Sequence, residues 1–207
     1  MIINIKQLLL QALVVITFFL CIFSVIKMGP VFAQDHSMHQ PNLSASPAAF
    51  RGIPTIEFEL FTSGGKKVTP NTFSGKYLLI AIGFTRCEHI CPTIAANMAA
   101  VLRNTNIPTA ALFISVDNER DSPEITDQYA KGFDPRMVGA SGNYQALVET
   151  VENLNASFVV TKSSKSYVVQ HTPDIYLVDP SGNFIEAFAF VDGPNKIITA
   201  LKTNYEL

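Results

Sequence analysis

The 207 residues carry 15 Lys+Arg against 17 Asp+Glu, a net charge of −2 at pH 7, which offers no footing for a polyanion and argues against a nucleic-acid partner. Apolar residues make up 48% of the chain, inflated by its first 30 positions, and 15 Phe with no Trp point to an aliphatic and phenylalanine-rich core. That length fits one self-sufficient domain behind a targeting segment.

Leu8 to Ile26 is apolar except for Gln11, Thr17 and Ser24, with Lys6 before it and Lys27 after. The run is longer than the roughly 7–15 residues of a signal-peptide core and close to the about 20 needed to span a bilayer. Gly29-Pro30 ends it, and Val31-Phe32-Ala33 before Gln34 reads as a peptidase site. Residues 1–33 therefore read as a signal peptide or a membrane anchor, and both place the rest of the chain outside the cytoplasm. Cys21 sits inside the apolar run as an inert membrane residue, because Phe18-Phe19-Leu20 is too bulky for a lipoprotein cleavage box. The exported part then holds two cysteines, Cys87 and Cys91. In an oxidising compartment such a pair is a disulfide, a redox couple or part of a metal site. Residues 34–50 read as a polar linker. Its His36, Met38 and His39 are soft or borderline copper ligands, but the preferred reading is a solvated tether.

The domain follows over 51–207. Ile56 to Phe61 alternates like a strand, Ser63-Gly64-Gly65-Lys66 is a turn, and Lys67 to Thr69 pairs back as a hairpin. Tyr77 to Gly83 is a continuous apolar run, as in a strand buried on both faces. Thr93 to Arg103 places Ile94, Met98, Val101 and Leu102 on one helical face, and Thr109 to Val116 is a second buried strand. Ser122-Pro123-Glu124 starts a helix with a hydroxyl cap, Pro in the first turn and an acid beside the positive end of the dipole; the helix stops at Gly132. A helix over Asn143 to Leu154, short strands at Ser157 to Val160 and Ser166 to Gln170, a hairpin of Asp174 to Val178 with Phe184 to Phe190, and a helix over Asn195 to Lys202 complete the chain. The order predicts an α/β thioredoxin-like fold: a central mixed sheet flanked by helices, with a β-hairpin insertion.

The chemistry lies in Cys87-Glu-His-Ile-Cys91-Pro92. Four residues make about one helical turn, so the two sulfurs share a face, and Pro92, lacking an N–H, belongs in a first turn. Free N–H groups at a helix start stabilise thiolate, which attacks disulfides and binds soft metals. A structural disulfide closing so short a loop would constrain the unfolded chain little. His171, just before the strand Asp174 to Val178, is the third candidate ligand, since residues at that point of a thioredoxin-like fold face the cysteine loop. Two sulfurs and one imidazole suit copper in either oxidation state. His89 is read as turned to solvent if the stretch is helical; in a loop it could complete a Cys₂His₂ zinc-like shell. Thr172-Pro173 is expected to be a cis peptide opposite the cysteines. Asp117-Asn-Glu-Arg120-Asp121 follows a strand on the same edge, where its charges either tune the thiols and bind a partner or serve as loop solvation and helix capping.

Four landmarks together resemble the Sco/SenC family of copper-binding proteins that assist cytochrome c oxidase assembly. They are Gly83-Phe-Thr-Arg-Cys87-Glu-His-Ile-Cys91-Pro92, Ile114-Ser-Val-Asp-Asn-Glu-Arg-Asp121 with Ser122-Pro123, Phe133-Asp134-Pro135, and His171 before Ile175-Tyr-Leu-Val-Asp-Pro-Ser-Gly182. The resemblance implies a thioredoxin fold and copper, Cu(I) or Cu(II), held at Cys87, Cys91 and His171. It also implies a place on the periplasmic face of the bacterial inner membrane, or in the soluble periplasm if the leader is cleaved, and a client such as subunit II of cytochrome c oxidase. Two departures stand out. Glu88-His89 replaces the family's common Pro-Asp, and Thr172-Pro173 looks closer to thioredoxin. Two functions follow. A metallochaperone would hold copper on Cys87, Cys91 and His171 and would need an external thiol reductant. An exported thiol–disulfide reductase would attack through Cys87, resolve through Cys91 and dispense with His171. A thiol peroxidase is disfavoured, because Ile80 and Phe84 occupy that motif's proline and hydroxyl positions.

Overall fold

The computed structural model describes residues 55–206. The leader or anchor, Cys21, and the tether with His36, Met38 and His39 lie outside the described residues.

Tyr77–Gly83 (β3) is buried at every position, which suits an apolar run that meets a packed layer on each side. It pairs in parallel with β4 (Thr109–Ser115) and antiparallel with β8 (Asp174–Val178). With β5 (Met137–Ala140) and β9 (Phe184–Ala189) the order is β5-β4-β3-β8-β9, the mixed sheet of a thioredoxin-like fold. The short hairpin β1 (Leu60–Thr62) with β2 (Lys66–Val68) precedes it. Only Leu60–Thr62 of the strand expected from residue 56 pairs with another strand. Ile56 and Phe58 are nonetheless buried between exposed neighbours, so the alternation there records packing without a ladder.

Four helices cover the sheet: α1 (Ile90–Asn104), α2 (Pro123–Phe133), α3 (Tyr144–Asn153) and α4 (Gly193–Tyr205). Ser122 caps α2 by accepting from the Ile125 N–H, and Asn143 caps α3 by accepting from the Ala146 N–H. On one face Leu79, Ala81, Phe113 and Ile175 pack under Ile94 and Met98 of α1, Ala130 of α2, and Ile197 and Leu201 of α4. On the other, Leu78, Ile80, Ile82, Leu112 and Ile114 meet Leu147 and Val151 of α3 together with Ile56, Phe58 and Phe73. Each fully buried Leu, Ile, Val, Met or Phe side chain is worth about 1.5–3 kcal/mol of transfer free energy, so these two layers hold the sheet in place.

Four points differ from expectation. Strand β5 was not anticipated, because its four residues between Pro135 and Gly142 are too few for a visible period. Its Gly139 is required by close approach: a Cβ there would sit 2.1 Å from the Thr126 carbonyl oxygen of α2. Helix α1 starts three residues earlier than Thr93, and α2 runs through Gly132. The Thr172–Pro173 bond is trans, since no described residue has a cis peptide. Thr172 is already held by its N–H to the Ser157 carbonyl and by its hydroxyl to the Ser157 N–H. With that geometry met, the chain keeps the trans form, which is favoured by about 0.5–1 kcal/mol for X–Pro.

Strands β6 (Phe158–Lys162) and β7 (Tyr167–His171) form a separate two-stranded sheet inserted between α3 and β8. Among the described residues no helix is long and apolar enough to cross a membrane.

Candidate metal centre

Where β3 ends at Gly83 the chain turns sharply: the Cys87 N–H donates to the Phe84 carbonyl (3.3 Å). Helix α1 then begins at Ile90, so Cys87 lies before the helix and Cys91 is its second residue. His89, at the N-cap, makes no side-chain cap. Instead the Cys91 N–H donates to Cys87 Sγ (3.4 Å), which takes an acceptor role at the open helix start. The two cysteines are free thiols, and they differ sharply. Burial alone would raise Cys87, but the Cys91 thiol and the N–H groups of Cys91, His89 and Ile90 outweigh it and hold Cys87 below the ordinary thiol value. Cys91 has no exposed surface; burial pushes its thiol far up, and the Cys87 thiol adds to the effect.

Gly83 makes room for this arrangement. A Cβ there would lie 2.6 and 2.9 Å from ring carbons of Phe113 and 3.0 Å from Cys91 Sγ.

His171 closes β7. Its Nε2 lies 3.4 Å from Cys91 Sγ, and its Nδ1 lies 3.0 Å from the Thr172 carbonyl oxygen. A carbonyl only accepts, so Nδ1 carries the hydrogen and the Nε2 lone pair faces the sulfur. Burial lowers the His171 pKa, opposed by the Thr172 hydrogen bond, which favours the neutral ring a metal needs. Phe84 stands edge-on to the imidazole, with centroids 5.9 Å apart at 86°. Cys91 and His171 are thus in contact, Cys87 is bonded to the Cys91 amide, and His89 is exposed at the helix entrance. Among the described residues no three His, Cys, Asp or Glu side chains are already arranged as a complete ligand set, so binding through three donors requires side-chain movement. The donor types, two sulfurs with one depressed thiol and a neutral imidazole, fit a soft or borderline ion such as copper.

Asp121 belongs to this site. It is 1% exposed, and its carboxylate accepts from the Thr85 N–H (2.7 Å), the Thr85 hydroxyl (2.6 Å) and the Ser115 hydroxyl (2.7 Å). It caps no helix; Ser122 does that. The signal was present in the parallel register of Gly83 with Ser115, which sends the chains leaving β3 and β4 along the same edge. A cleft of ≈ 500 Å³ lined by Glu57, Lys76, Glu149 and Asp179 lies apart and contains neither cysteine nor His171.

Fold and site define a thioredoxin-like domain whose helix-start dithiol faces an imidazole supplied by an inserted hairpin. The SCO1/SenC family model matches residues 48–206, and the chain belongs to that family. It is similar to Protein sco1 of Schizosaccharomyces pombe, 35% identical over 139 residues, which cover 63% of this chain and 53% of the yeast protein. The chain therefore spans about half the length of that relative. Among solved structures it is similar to Arabidopsis thaliana ScoI with copper bound (27% identity, TM-score 0.66, 74% of this chain and 99% of that one). It is also similar to Bradyrhizobium japonicum ScoI with copper bound (30% identity, TM-score 0.61, 72% of this chain and 98% of that one).

Proposed function

We propose that the chain is a copper metallochaperone that holds the ion, as cargo, on Cys87, Cys91 and His171 and passes it to a partner by ligand exchange. The observation that carries this reading is the approach of His171 Nε2 to Cys91 Sγ at 3.4 Å, which sets an imidazole donor beside the dithiol; the reductase reading does not require it. The copper held by the two similar ScoI structures supports the same reading. The lowered pKa of Cys87 keeps a thiolate ready, and the ion displaces the proton of the Cys91 thiol, which is released to solvent. The client is subunit II of cytochrome c oxidase or another copper acceptor, and a thiol reductant keeps the pair reduced. The domain works outside the cytoplasm, on the periplasmic face of the inner membrane if residues 1–33 stay attached and in the periplasm if they are removed.

Anaerobic copper titration of the full chain tests this. One ion per chain should bind, and His171→Ala should weaken Cu(II) binding by more than tenfold. Unchanged binding in His171→Ala would remove histidine from the site. The exposure and lowered pKa of Cys87 also fit the reductase reading. Disulfide reduction that is lost in Cys87→Ser and kept in His171→Ala, with no copper bound by the parent, would select it.

A further inference from the structure

We infer that the loop Asp117–Asp121 is a two-ended positioning element: Asp121 fixes the cysteine loop, while Asp117 with Arg120 fixes the hairpin that carries His171. This inference rests on the copper reading above.

The cysteine end is the Asp121 carboxylate, whose hydrogen bonds to the Thr85 amide and hydroxyl hold the turn two residues before Cys87. At the histidine end Asp117, 1% exposed, accepts from the Tyr167 hydroxyl at 2.6 Å and from the Arg120 guanidinium. That guanidinium lies over the Tyr167 ring, 3.8 Å from its centroid. Glu119 pairs with Lys162 of β6, an exposed contact worth little alone. The two ends are coupled within the loop, because the Arg120 and Asp121 N–H groups both donate to the Asp117 carbonyl.

The hairpin needs such a fixture. No ladder joins β6–β7 to the five-stranded sheet. Phe158 and Val169 pack on the core, but apolar contact is not directional and leaves sliding and rotation free. Tyr167, Val169 and His171 share one face of β7. Tyr167 and His171 lie four residues apart, about 13 Å along a strand, so a shift at the tyrosine is transmitted to the imidazole. Neither Asp117 nor Tyr167 contacts the donor atoms; both act through what they hold.

The test uses the full chain, Cu(II) ion as the probe and competition with a chelator. Its variants are Tyr167→Phe, Thr85→Val, His171→Ala and the two double variants with His171→Ala. Tyr167→Phe keeps the ring and removes only the hydroxyl, and it should weaken Cu(II) binding by roughly three- to tenfold, below the range for a group bonded directly to a ligand. On the His171→Ala background the same change should cost less than twofold, because its effect passes through the imidazole. Thr85→Val acts through the thiols, so its loss should persist on that background. Equal losses for Tyr167→Phe on both backgrounds, or none on either, overturn the inference. A metal-free readout separates its failure from that of the copper reading. The NMR cross-peak between the Phe84 and His171 rings should weaken in Tyr167→Phe; an unchanged cross-peak overturns the positioning role whatever copper does. An unchanged affinity in His171→Ala overturns the copper reading instead.

Discussion

Cys91 Sγ and His171 Nε2 approach to 3.4 Å across 80 residues of sequence. The contact divides the labour of two chemically identical residues: Cys91 is sealed between Gly83, Phe113 and the imidazole, and Cys87 meets solvent at the helix mouth.

Alkylation should therefore be ordered. In the folded, reduced chain iodoacetamide should modify Cys87 at least about tenfold faster than Cys91, because thiolate and access both favour Cys87. Peptide mass spectrometry after brief labelling reads the ratio; equal labelling would contradict the burial of Cys91.

Gly83→Ala should destabilise the domain by about 1–3 kcal/mol, the usual cost of forcing atoms into a packed interior. Its Cβ would meet the Phe113 ring and Cys91 Sγ at 3.0 Å or less. The variant should also change the alkylation ratio, since the sulfur must shift. A melting temperature and ratio like those of the parent would show that the ring yields freely.

Asp134 gives the fold an acid-sensitive joint. Its carboxylate accepts from the Arg136 N–H (3.0 Å), Nε (2.8 Å) and NH2 (2.7 Å), while Arg136 NH1 reaches the Leu102 carbonyl (2.9 Å). Arg136 holds the carboxyl below the usual range against the opposing effect of burial. A lowered folded-state pKa stabilises above the unfolded value of about 3.9, and the contribution is lost as pH falls through the folded value. Asp134→Asn should lower stability at pH 7 by about 1 kcal/mol, the guanidinium being half exposed. Denaturant titrations from pH 7 to pH 2 should show the two proteins converging at the acid end. A constant gap would assign the loss to packing.

The Tyr129 hydroxyl is buried without a hydrogen-bond partner among the described residues, on a ring packed between Phe113 and Phe133. Removing an unpaired buried donor relieves its desolvation cost. Tyr129→Phe should raise stability by up to about 1 kcal/mol. A lower melting temperature would reveal an ordered water at that hydroxyl.

Strongly patterned segments were legible in the sequence. Tyr77 to Gly83 reads as a central strand from composition alone, and Ser122-Pro123-Glu124 marks a helix start residue by residue. The meeting of the cysteine loop with His171 followed from the strand order once the thioredoxin arrangement was seen. What escaped was decided by tertiary contact. Met137–Ala140 pairs because β4 offers an edge and α2 presses on Gly139, neither of which leaves a period in four residues. Asp117 and Asp121 look like solvated loop charges until Thr85 and Tyr167 arrive from 36 residues upstream and 50 downstream. The cis form expected at Thr172–Pro173 was borrowed from a likeness to thioredoxin, whereas Ser157 already fixes that corner.

Because the imidazole sits on an inserted hairpin outside the main sheet, it meets the thiols only when that hairpin is docked. A chain whose β6–β7 hairpin has not docked offers two thiols and no third donor. Closing so long a loop carries an entropy cost that grows only as the logarithm of its length, so docking is set by the contacts at Asp117 and Tyr167 more than by the span itself. On the copper reading proposed above, a chain with an undocked hairpin would hold the ion through its two thiols alone, and less tightly.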